Sequence, residues 1–282
     1  MKFAKYEGTG NDFIMVLDAD DERRFTGEQV RALCDRRYGV GADGVIRVAP
    51  ATDGAHVFMD YANADGSVSD MCGNGIRCVA VFARAEGLVA GDSVKVATRA
   101  GTKFVRIDGA DVTVDIGAPV FEPDRIPVKW RGDDALSCEV RAGDSTYPAA
   151  CLSMGNPHAV VFVDDPARFP VAGRGPEIER SDMFPERVNV EFVAVETPRR
   201  VRMRVWERGS RETLSCGSGA CAAFVAARLL RGVEEEGVVS LPGGDLRIRW
   251  DGSLKTRRPV LMTGPASEVY RGEIDLARLR AR

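Results

Sequence analysis

The chain alternates short apolar runs with turns rich in glycine, asparagine and aspartate, and only a few stretches carry apolar residues at helical spacing. Phe3–Tyr6 and Phe13–Leu17 read as strands flanking the loop Gly8-Thr9-Gly10-Asn11-Asp12. Thr26 caps a helix with the apolar stripe Val30, Leu33 and Cys34, and a glycine-rich turn from Tyr38 to Gly44 follows it. Val45–Val48 and His56–Tyr61 are further strands. Asn63-Ala64-Asp65-Gly66-Ser67 is a tight turn, because Asn, Asp and Gly tolerate the backbone angles that turns need. Ile76, Val79, Ala80 and Ala83 then repeat at helical spacing, which places Cys72-Gly73-Asn74-Gly75 at a helix start. Ser93–Thr98, Thr102–Ile107 and Asp111–Ile116 are three alternating strands, and Gly117–Pro127, with three prolines, reads as a linker.

The second half repeats this rhythm. Cys138–Arg141 and Ser145–Leu152 read as strands, Met154–His158 as a turn, and Ala159–Val163, Val188–Val195 and Val201–Trp206 as strands. Ser215-Cys216-Gly217-Ser218-Gly219-Ala220-Cys221 leads into an Ala-rich helix over Ala222–Leu230, and three strands close the half (Val238–Leu241, Leu246–Trp250 and Val260–Thr263). Cys72 and Cys216 lie 144 positions apart, about half the chain, each just before a helix and each followed by Gly-x-Gly. This is an internal repeat. It predicts a mixed α/β fold of two similar halves facing each other across a cleft. The expected division is 1–117, joined by 264–282, against 118–263.

Composition narrows the function. A length of 282 residues suits about two domains. The net charge of -3 removes the basic footprint of a nucleic-acid binder. No apolar run approaches the roughly 18 residues of a membrane span, and the first residues carry Glu7, Asp12 and two glycines where a signal peptide needs an apolar stretch. The expected location is the cytoplasm, with no membrane or nucleic-acid partner. Seven cysteines in a chain without an export signal are not a disulfide framework. With only His56 and His158 as histidines, a metal site is not expected. Gly8-Thr9-Gly10 lacks the rest of a dinucleotide fingerprint, and no motif for pyridoxal phosphate, flavin or nicotinamide is present, so no cofactor is expected.

The two cysteine–glycine helix starts carry the chemistry. A helix N-terminus favours the thiolate over the thiol, and its free N–H groups bind a carboxylate. Two such units suggest that one sulfur removes a proton from one face of a carbon while the other delivers a proton to the opposite face. That is racemisation or epimerisation alpha to a carboxylate, with oriented N–H groups stabilising the developing carbanion. A structural zinc and a redox thiol pair are weaker readings of the same cysteines. Cys34, Cys78, Cys138, Cys151 and Cys221 read as packing residues. His158, following Asn156-Pro157 in a turn, is either structural or a group that tunes a facing thiol. Glu207-Arg208 is either a surface ion pair or a pair that faces the cleft.

These motifs resemble the diaminopimelate epimerases, and the resemblance runs almost from end to end. It is carried by Gly8–Phe13, Asp35–Gly44, Asn63–Ser67, Met71–Cys78, Gly155–His158, Val188–Phe192, Trp206–Gly209 and Cys216–Ala223, in the family's order. The resemblance implies two pseudo-symmetric halves, each a mixed sheet wrapped around a central helix, and a cofactor-independent two-base epimerisation of LL- to meso-diaminopimelate serving lysine and peptidoglycan-precursor synthesis. It implies Cys72 and Cys216 as the acid/base pair, tuned by His158 and Glu207. Gly73, Asn74, Gly217 and Ser218 would hold the reacting carboxylate. Asn11, Asn63, Asn156, Asn189, Glu207 and Arg208 would contact the distal end of the amino-acid substrate. A homodimer is expected on the same ground. Glu7, Gly44 and Val68 depart from the family pattern; Gly44 stands where some members carry a substrate-binding glutamine. The alternative is a racemase of histidine or proline on the same scaffold, and a third class is a non-catalytic binding protein that kept the fold.

Overall fold

A computed structural model describes residues 1–279. The chain forms two compact units, one of Met1–Val114 together with the chain from Gly264 onward, the other of Asp115–Thr263.

The first unit is built on β1 (Lys2–Gly8), β2 (Asn11–Leu17), β3 (Gly44–Ala49), β4 (Val57–Asn63), the short β5 (Val68–Ser69), β6 (Ser93–Thr98), β7 (Gly101–Asp108) and β8 (Asp111–Gly117). Helices α1 (Gly27–Cys34) and α2 (Gly73–Ala85) interrupt this series. β1 pairs antiparallel with β2, β2 runs parallel to β3, and β3 is antiparallel to β4. β4 takes β5 antiparallel and β6 parallel, and β6–β7–β8 continue antiparallel. α1 begins at a capping box in which Thr26 and Gln29 satisfy each other's backbone N–H groups. Its buried Val30, Leu33 and Cys34 cover Ile14, Val16 and Val45. α2 is buried from Gly73 through Ala80 and again at Phe82 and Ala83, the signature of a helix enclosed on nearly every side.

The second unit holds β9 (Cys138–Ala142), β10 (Ser145–Ser153), β11 (Pro157–Phe162), β12 (Asn189–Thr197), β13 (Arg200–Glu207), β14 (Arg211–Thr213), β15 (Glu236–Leu241), β16 (Gly244–Arg249) and β17 (Val260–Pro265). Its helices are α3 (Val171–Glu179) and α4 (Gly217–Arg231). β10 and β11 are antiparallel, β11 and β12 parallel, β12 and β13 antiparallel. β13 takes β14 antiparallel and β15 parallel, and β15–β16–β17 continue antiparallel. The series is the first unit's, strand for strand, with α4 in the place of α2. α4 is buried from Gly217 to Ala227 and ends at Gly232, whose φ of 71° suits only a residue without Cβ strain. The repeat seen at the two helix starts therefore extends to the whole topology.

Several elements depart from the sequence reading, the unpredicted helix α3 among them. Gly117–Pro127 is not a free linker: Val120 exchanges backbone hydrogen bonds with Ser153 at 2.9 Å each way, and Phe121 and Ile126 are buried. Pro123 opens a 3-10 turn at Pro123–Arg125, while the buried Phe121 and Ile126 anchor the segment on the second unit. The turn ahead of His158 ends sooner than expected, because Pro157 and His158 already open β11. A last strand, β18 (Ser267–Glu273), lies antiparallel to β1. No helix among the described residues is long and apolar enough to cross a membrane.

Candidate active site

In the first unit, Cys72 is the N-cap of α2, with extended backbone angles of −132° and 120°. Its Sγ accepts the Gly75 N–H at 3.4 Å, and its thiol lies 3.7 Å from Asn11 Oδ1. Asn11 is therefore beside the sulfur. Its amide nitrogen donates to Asp43 Oδ2 at 2.6 Å, which turns its oxygen toward Cys72 and the amide of Asn74. Asn74 is buried and accepts from Arg77 Nη1 at 3.0 Å. Arg77, fully buried, also donates to Thr9 Oγ1 at 2.6 Å and to the Pro265 carbonyl at 3.1 Å. The loop thus locks onto the first turn of the helix. Behind it, Asp12 receives Lys5 at 2.8 Å and Arg36 at 2.7 Å. Burial works to raise the Asp12 carboxyl, but the hydrogen bonds from Arg36 and Lys5 win and hold it at about 2. Asn63, at the end of β4, donates to Ser67 Oγ at 3.0 Å and so closes the turn that follows it.

In the second unit, Cys216 is the N-cap of α4, with backbone angles of −126° and 113°, and its Sγ accepts the Gly219 N–H at 3.4 Å. Local geometry matches that of Cys72, but the surroundings differ. Cys216 is buried, and Ser218 Oγ lies 3.6 Å from its sulfur. Burial pushes the Cys216 thiol well up, the charges of Glu207 and Glu191 push the same way, and the Ser218 hydroxyl and Gly219 N–H pull against them. Glu207 accepts a short hydrogen bond from the Thr213 hydroxyl. Burial raises its carboxyl to about 7, against the lowering effect of Thr213 and Cys216. His158 has no exposed surface; its Nδ1 lies 2.7 Å from Glu191 Oε1 and its Nε2 2.9 Å from Asn156 Oδ1. Asn189 donates to the Pro157 carbonyl at 3.0 Å and accepts the Arg208 N–H at 2.9 Å. Arg208 itself is exposed and donates to the Glu186 carbonyl at 3.0 Å.

A family profile for diaminopimelate epimerase matches residues 3–122 and 150–269, two segments of equal length that cover most of both units. The chain belongs to the diaminopimelate epimerase family. The diaminopimelate epimerase of Synechococcus elongatus is 44% identical over 98% of this chain and 99% of that protein. The enzyme of Thermosynechococcus vestitus is 45% identical over 97% and 99%, and that of Leptospira biflexa 40% identical over 98% and 99%. Among solved structures, a probable proline racemase from Agrobacterium radiobacter superposes with a TM-score of 0.70 at 15% identity, covering 98% of this chain and 93% of that one. A hydroxyproline epimerase from Agrobacterium vitis gives 0.65 at 16% identity, with 97% and 90% covered. At such identities these two show the shared fold.

Against the family pattern, the departures have local causes. A side chain at Gly44 would put its Cβ 2.5 Å from Tyr61 Cε2 and 2.6 Å from the Ala62 carbonyl, so this epimerase-family chain has no room there for a glutamine. Glu7 accepts the Gly10 N–H at 3.0 Å and braces a loop in which Thr9 and Gly10 have φ of 57° and 78°. Val68 is exposed and pairs with Ala62 across the β4–β5 hairpin. His158 sits in a strand rather than a turn, and both of its ring nitrogens are engaged by Asn156 and Glu191. Glu207 is a carboxyl group whose charge acts directly on the Cys216 thiol. Glu191 is the residue the sequence reading left without a role. Its signal is a lone charge inside the apolar run Val188–Val195.

Proposed function

We propose that this protein epimerises LL-diaminopimelate to meso-diaminopimelate without a cofactor, through Cys72 and Cys216. The observation that carries the reading is the twin helix start, a cysteine N-cap whose sulfur accepts a glycine N–H at 3.4 Å in both units. The reaction needs a base on one face of the α-carbon and an acid on the other. A sulfur at a helix N-terminus serves as either, because the local N–H groups lower the cost of the thiolate. Gly73 and Asn74, with Gly217 and Ser218, occupy the first turns of the two helices, where backbone N–H groups suit the reacting carboxylate.

The two cysteines start in different states. Burial and the carboxylates around Cys216 favour its thiol, so Cys216 begins as the acid and Cys72 as the thiolate base. Cys72 takes the α-proton as the C–H bond breaks, and the electron pair stays on carbon, spread into the carboxylate. Cys216 then gives its proton to the opposite face and becomes the thiolate. Turnover leaves Cys72 as the thiol and Cys216 as the thiolate, so the starting state returns when Cys72 gives up its proton and Cys216 gains one; the Glu207 carboxyl, raised to about 7 by burial, suits the second transfer. Asn11, Asn63, Asn156, Asn189, Glu207 and Arg208 supply the amides, carboxylate and guanidinium that an ammonium–carboxylate distal end calls for.

The test is proton NMR of the reduced protein with LL-diaminopimelate in D2O, with nothing else added. Loss of the α-proton signal together with formation of the meso isomer is expected, and Cys72→Ala or Cys216→Ala abolishes epimerisation. Normal turnover in either variant would defeat the two-base reading. No exchange in the unaltered protein would turn attention to another amino acid, histidine first.

A further inference from the structure

We infer that Glu191 is a positioning residue, acting through His158 to decide which end of the Asn156 amide is offered to the substrate. The inference rests on the substrate role proposed above for Asn156. Glu191 lies in β12, fully buried, two positions along from Asn189, the residue that pairs with His158 on the neighbouring parallel strand β11. One of its oxygens, Oε1, faces His158 Nδ1 at 2.7 Å; the other, Oε2, has no hydrogen-bond partner among the described residues. The contact with His158 therefore offsets the cost of holding a carboxyl group in this interior.

Full burial favours a Glu191–His158 pair with no net charge, which holds two protons between the carboxyl group and the ring; a pair with one proton, on Nδ1, would leave Nε2 bare but an uncompensated carboxylate inside the protein. When Glu191 is ionised and His158 is an imidazolium, both ring nitrogens carry protons. When the shared proton sits on Glu191, Nδ1 accepts it and the neutral ring keeps its proton on Nε2. In either state Nε2 donates to Asn156 Oδ1, 2.9 Å away. The oxygen of Asn156 is thereby consumed, and its NH2 group is the end left to face a ligand. A half-buried NH2 donor suits a carboxylate; the reversed amide would set oxygen against oxygen. Without Glu191, the ring is free to take the other tautomer, Nε2 becomes an acceptor, and the amide turns over. The carboxyl group is also built into the helix start: a Cβ at Gly219 would come within 2.7 Å of Glu191 Oε1. Glycine at that position is what lets the pair sit beside Cys216.

Two variants and one spectrum test this. Glu191→Gln keeps a polar partner for Nδ1, and Glu191→Leu removes it at similar volume. Losing a hydrogen bond to a charged group costs about one factor of ten or more, so Glu191→Leu should raise the KM for diaminopimelate by ~10-fold or more. Its kcat should fall by less than about 3-fold, and Glu191→Gln should restore the KM to within ~3-fold of the unaltered enzyme. The activity-independent readout is a long-range 1H–15N spectrum of the histidine rings, simple because the chain has only two histidines. His158 Nε2 should be protonated in the unaltered protein and in Glu191→Gln, and mixed in Glu191→Leu. A bare Nε2 in the unaltered protein overturns the inference whether or not the Leu variant folds. So does an unchanged KM in Glu191→Leu, or equal impairment by Gln and Leu. An unaltered protein inactive on diaminopimelate would instead sink the proposed substrate, while the ring spectrum would still report the hold of Glu191 on His158.

Discussion

Gly75 and Gly219 occupy the same place in the two helix starts, yet alanine at each should have different consequences. At Gly219 the new Cβ would lie 2.7 Å from Glu191 Oε1 and 3.2 Å from Cys216 Sγ. Opening the first contact to ordinary van der Waals distance asks roughly 0.7 Å of a carboxyl group pinned to His158. Such overpacking costs about 1–3 kcal/mol, and the helix gains up to about 1 kcal/mol from losing a glycine. The net is a loss of about 1–2 kcal/mol, or a Tm lower by ~2–8 °C for a unit of this size. Because the displaced atoms include the Cys216 sulfur, kcat/KM should fall on the order of 10–100-fold. At Gly75 the neighbours are the methyl ends Ile46 Cδ1 and Met59 Cε, both at 2.9 Å, which swing aside at small cost. Stability there should change by less than about 1 kcal/mol. Thermal unfolding and α-proton exchange in D2O on both variants read the difference. A Gly219→Ala protein with the unaltered rate, or a Gly75→Ala protein that suffers more, would refute the reasoning.

Two further outcomes follow from single side chains. The Glu207 carboxyl is raised to about 7 in the folded protein from 4.5, so the folded state holds its proton where the unfolded chain has lost it. The resulting stability is present below about pH 4.5 and lost as pH rises through about 7; melts should show Glu207→Gln gaining on the unaltered protein across that window, and a constant difference between pH 5 and 8 would contradict it. Phe121, buried in the segment read as a linker, should cost about 3–5 kcal/mol when changed to alanine, measured by urea unfolding; a change below about 0.5 kcal/mol would mean that the segment contributes no core.

Where the sequence spoke clearly, local pattern and tertiary role coincided. Cys72 and Cys216 were legible as helix starts because glycines precede an apolar repeat at helical spacing, and the folded N-caps agree. α1 was legible from Thr26 and three apolar positions. α3 was not, because Gly173, Gly175 and Pro176 give it a poor helical pattern, and packing rather than propensity holds Val171 and Ile178 in the core. β18 escaped notice because nearly all of its residues are exposed, so no alternation marks it. His158 was misplaced in a turn, since Asn-Pro suggests one; proline is equally at home as the first residue of a strand. The partners of the candidate site residues were beyond sequence pattern altogether. Asn11 reaches Cys72 across 61 positions and Glu191 reaches His158 across 33, distances that only strand order closes.

The pairing of β1 with β18 also sets a timetable. The second unit is an uninterrupted stretch of chain, and a ribosome delivers all of it before β18 appears. The first unit, begun earliest, lacks until then the strand that binds Lys2–Glu7 along their length and the carbonyl of Ile274 that receives the Met1 ammonium at 2.6 Å. The second unit's own last strand, β17, ends at Pro265, separated from β18 by Ala266 alone, so both units receive their closing strands together at the end of synthesis and neither helix start gains its full sheet until then.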